Sequence, residues 1–164
     1  MEKELRKRQI LLWESGAGVI LFAVWNLTRA NLYLALTPFP MEVLQEEAAQ
    51  VGISEKFLMI MMIVVVAGIL IWQLSIRLYI GMSARAEGKG KKKSYTYLVW
   101  TAILVVSDLQ INWRAFDVQS ILSGGDISGK QIASLCLEAA SVYVLLQLLI
   151  SGIWVKRLRK KMKE

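Results

Sequence analysis

Histidine is absent from this chain, and cysteine occurs once, as Cys136. The first absence excludes His-ligated haem, His-ligated zinc and a Ser-His-Asp triad within the chain. The second excludes an internal disulfide framework and a Cys-built metal site, so neither a metal nor a cofactor is expected. Proline occurs twice, at Pro38 and Pro40, which leaves every other stretch without a proline break. Charge is also scarce over long runs of the sequence, and that scarcity sets the fold class.

The chain has 164 residues, 55% of them hydrophobic, and a mean hydropathy of +0.46. Four blocks, at about 10–28, 57–76, 97–117 and 132–155, are mostly apolar. Each holds roughly the 20 residues a helix needs to cross ~30 Å of hydrocarbon. The expectation is one all-α integral membrane domain over residues 1–164, a polytopic bundle of four transmembrane helices. The first block is too long for the apolar region of a signal peptide, and no small-residue cleavage site clearly follows it.

The net charge of +7 is unevenly placed. Most Lys and Arg fall in Lys3 to Arg8, Arg77 to Lys93 and Lys156 to Lys163. With four spans these three segments share one side, which the positive-inside rule makes the cytoplasm, with both termini there. A multi-pass protein of the cell membrane follows. Lys89, Lys91, Lys92, Lys93, Arg157 and Lys160 are the expected contacts to anionic lipid headgroups, at about 1 kcal/mol per basic residue. Nucleic acid is not an expected partner, because no basic stripe interleaves with aromatics in a soluble module.

Between the first two spans, Thr37 to Pro40 breaks the helix. Met41, Leu44, Ala48 and Val51 then recur at helical spacing, with Glu42, Gln45, Glu46, Glu47 and Gln50 on the other face. That pattern predicts a short amphipathic helix over about 41–51, lying on the outer surface. In the first span, Ser15 to Gly18 form a small-residue patch that lets another helix come close. Met59, Met61 and Met62 point different ways on a helix, so they read as packing residues and not as a metal site. Gly124 to Lys130 satisfies G-x-x-x-x-G-K, but Gln131 replaces the Ser or Thr that would hold magnesium, and a solvated turn is the better reading.

The third span carries the most polar residues. Asp108 falls near the membrane midplane and Asn112 one turn further out, while Gln110, Arg114 and Asp117 take roughly the opposite face. In the fourth span Glu138 lies some two turns below the outer surface. Arg29 ends the first span on that side. Asp108, Asn112, Arg114, Glu138 and Arg29 form the expected intramembrane binding cluster, since ionisable groups there normally face protein or trapped water.

Repeated Asn and Arg-Ala pairs after spans one and three, and Ile-Trp and Arg-Leu pairs after spans two and four, raise the possibility of two related hairpins. Three functions compete. A small transporter or channel-like protein would use the carboxylate and Arg cluster as a route or coupling site, as a homodimer. A non-catalytic accessory or regulatory subunit would use the same residues against a partner's helices. An intramembrane enzyme ranks last, because no nucleophile-base pair is visible.

Overall fold

Four long helices account for nearly all of the backbone in the computed structural model, which describes residues 2–36, 48, 52–115 and 129–162, with backbone alone at 33–35, 111–115 and 129–132. They are α1 (Glu2–Leu36), α2 (Glu55–Gly88), α3 (Thr96–Ala115) and α4 (Gly129–Lys161). Among the described residues the protein is all-helical. Three helices, α1, α2 and α4, are long and apolar enough to cross a membrane.

Each of these three outruns the apolar block that announces it. At 35, 34 and 33 residues, they reach roughly 50 Å at 1.5 Å per residue, against ~30 Å of hydrocarbon. The excess is charged helix. α2 was expected to leave its span near Ile76, yet it continues through Arg77 and Arg85 to Gly88. Its end is a Schellman turn: Lys91 N–H bonds Ala86 O and Gly90 N–H bonds Glu87 O. Gly90 takes the positive φ of 90° that this turn requires.

The chain divides into two compact units, Met1–Phe22 with Leu78–Glu164, and Ala23–Arg77. In the first unit, parts of α1 and α2 pack with α3 and α4 around Leu12, Val19, Ile80, Ala84, Tyr97, Val105, Leu145, Leu148 and Val155. Glycine sets the spacing between α1 and α2. A Cβ on Gly16 would lie 2.8 Å from Gly81 O, and a Cβ on Gly88 would lie 2.7 Å from Gln9 O. The two contacts are seven residues apart on each helix, so an antiparallel, backbone-to-backbone approach persists for two turns. Gly18 makes room for a side chain of α4: a Cβ there would lie 2.9 Å from Val144 Cγ1. The small-residue patch at Ser15 to Gly18 thus receives two different helices.

In the second unit, Ala23, Asn26 and Leu27 of α1 and Leu70, Gln73, Leu74 and Arg77 of α2 surround a void of about 20 Å³. The apolar surface of α2 is mostly exposed there, from Phe57 through Trp72. The expected surface helix at 41–51 lies outside the described residues except for Ala48, which is helical and packs with Leu58. The G-x-x-x-x-G-K turn also falls outside them until Gly129, where α4 starts.

Candidate functional site

Glu87 is the most completely enclosed charged side chain of the described residues, at 1% exposure. It comes from the charged extension of α2, one turn before the Gly90 cap. Gly88 brings that turn against Gln9 and Trp13 of α1, where a larger residue would keep the helices apart. The chain then reverses through the lysine-rich loop, and α3 starts with Tyr97 pointing back at the same spot.

The carboxylate is met on both oxygens. Tyr97 donates its hydroxyl to Oε2 at 2.6 Å, and Lys156 Nζ lies 3.3 Å from that oxygen. Arg159 NH1 lies 3.5 Å from Oε1, while its NH2 donates to the Glu87 backbone carbonyl at 3.1 Å. Both cations come from one face of α4, three residues apart. They also hold the loop: Lys156 donates to Lys93 O at 2.7 Å, and Arg159 NH1 reaches Lys91 O at 3.4 Å. Lys156 further sits 4.2 Å from the Tyr95 ring centre, within cation–π range. One carboxylate therefore ties together the end of α2, the loop, the start of α3 and the tail of α4. Burying a charge is tolerable only with such pairing.

The backbone of this loop is latched at Lys91, Lys93 and Ser94, while the side chains of Lys89, Lys91, Lys92 and Lys93, the expected headgroup contacts, remain exposed. The tail of α4 is divided as well. Lys156 and Arg159 turn inward, whereas Arg157 and Lys160 are exposed.

Of the expected intramembrane cluster, Asp108 and Glu138 are both half-buried, and both are engaged by other groups. Ser134 donates to Glu138 Oε1 at 3.3 Å. Arg29 is exposed on α1 in the second unit. Asn112 and Arg114 belong to α3, with side chains outside the described ones.

The Glu87 network was missed in the sequence because its members are 10 to 72 residues apart. One signal was available: Glu87 is the sole acid between Arg77 and Lys93. No protein-family model, curated protein or solved structure matches this chain.

Proposed function

We propose that the protein is a multi-pass membrane protein of four crossings that works as a non-catalytic accessory or regulatory subunit. In this reading α3 is the fourth crossing, its 20 residues making roughly 30 Å of helix. Both termini lie on the cytoplasmic side. Contacts between Arg8 and Trp154 and between Lys156 and the loop support this, because they gather the three basic segments at one end of the first unit.

The observation that carries the subunit role is the state of Asp108 and Glu138. In this placement each sits at a depth where lipid is a poor solvent for a carboxylate, and its own chain covers it only in part. Protein from a second chain supplies the remaining cover.

The same two carboxylates support the second reading, transport, in which they mark a polar route. Thiol labelling separates the two. In a Cys136→Ser background, cysteines placed singly at 108 and 138 are expected to resist a polar, membrane-impermeant maleimide from both faces of intact membranes. Labelling of both positions would replace the subunit reading with the transport one.

A further inference from the structure

The inward and outward faces of the α4 tail differ in more than exposure. Trp154, Arg157, Leu158 and Lys161 follow the i, i+3, i+4, i+7 spacing of one helix face. With Lys160 they line an open groove of about 450 Å³. Leu158 is buried at its floor, while the tryptophan and the three cations are exposed around it. Arg8 of α1 stands over the Trp154 ring, 5.4 Å from its centre, with its Nε paired to Glu4 Oε1 at 3.2 Å. The cations of the opposite face, Lys156 and Arg159, are already occupied by Glu87. Those on the groove side have no carboxylate among the groove-lining residues.

We propose that this groove binds the phosphate headgroup of an anionic glycerophospholipid. The site rests on the membrane placement given above but not on the subunit role. Its two halves match the two halves of such a lipid near the interface. Arg157, Lys160 and Lys161 offer charge-assisted donors to the phosphate, the guanidinium with bidentate geometry. Trp154 and Leu158 meet the glycerol and the first acyl carbons, at the level where tryptophan rings settle in a bilayer. A zwitterionic headgroup carries a cation of its own and would be repelled. The pattern also separates this groove from the lysine loop: Lys89, Lys91, Lys92 and Lys93 carry as much charge, but their loop has no described apolar wall of this kind. Generic surface attraction is expected of the loop. A defined site is expected of the groove.

The test uses the full chain extracted from membranes in mild detergent, with native mass spectrometry reading bound lipid. Titration with phosphatidylglycerol is expected to saturate one strong site, and phosphatidylcholine to bind at least tenfold more weakly. Arg157→Gln with Lys161→Gln is expected to weaken phosphatidylglycerol roughly thirtyfold, the size expected from two basic residues at an anionic surface. A control with equal charge loss, Lys91→Gln with Lys92→Gln, is expected to stay within about twofold of the unaltered protein. Equal losses in the two variants would overturn the site in favour of undirected charge attraction. Displacement of the lipid by millimolar inorganic phosphate or glycerol phosphate would overturn it in favour of a free-anion site. Failure of the chain to partition into membranes at all would instead strike at the membrane placement.

Discussion

The basic end of the first unit and the middle of its α3 and α4 helices handle a carboxylate in opposite ways. Glu87 is wrapped until almost nothing of it is exposed, and its partners are two cations and a phenol from its own chain. Asp108 and Glu138 are each left half covered. Yet the membrane interior is where an uncovered charge costs most. Glu87 closes the protein on itself, whereas in the subunit reading proposed above the mid-helix carboxylates face a second chain.

The sharpest way to break this contrast is to remove Glu87. Glu87→Ala leaves Lys156 and Arg159 confined beside apolar neighbours, and the fold is expected to lose about 3 kcal/mol. Denaturant unfolding in detergent micelles reads this directly, and a loss below about 1 kcal/mol would mean the network is ornamental. Enclosure itself can be tested at Gly81. A methyl group there would lie 2.5 Å from Ile20 Cγ1 and 2.7 Å from Gly16 O, so Gly81→Ala is expected to cost about 2 kcal/mol by forcing α1 and α2 apart. Melting temperature together with helix cross-linking between α1 and α2 would register it.

Tyr97→Phe removes a single hydrogen bond to a charged group and should cost about 1.5 kcal/mol. Its equilibrium unfolding should show a smaller drop than Glu87→Ala, since both cations remain. The smallest effect is expected at mid-helix. Asp108→Asn with Glu138→Gln should change the stability of the isolated protein by less than about 1 kcal/mol, the usual size of a polar contact between membrane helices. A loss matching that of Glu87→Ala would erase the distinction between the two regions.

Much of the fold was legible, and the physical reason limits what was not. Apolar runs located α1, α2 and α4 because hydrocarbon selects composition over about 20 residues. Beyond the hydrocarbon, helices are held by neighbours and caps, so the apolar run at 57–76 did not show that α2 continues to Gly88. Hydropathy also ranks a charge by its depth. It directed attention to Asp108, Asn112 and Glu138 and away from Glu87, whose cover comes from residues far along the chain.

The span between Glu87 and its cations has a consequence for how the protein is made. Arg159 follows Glu87 by 72 residues, so a ribosome adding 5–20 residues per second reaches it on the order of 4 to 14 s later. Through that interval the first three helices carry a carboxylate whose interior seat is unfinished, with the Tyr97 hydroxyl as its early companion. Arrival of the last helix neutralises the seat and latches the loop in one event. A chain halted before the final segment of α4 therefore lacks both cations that pair with Glu87.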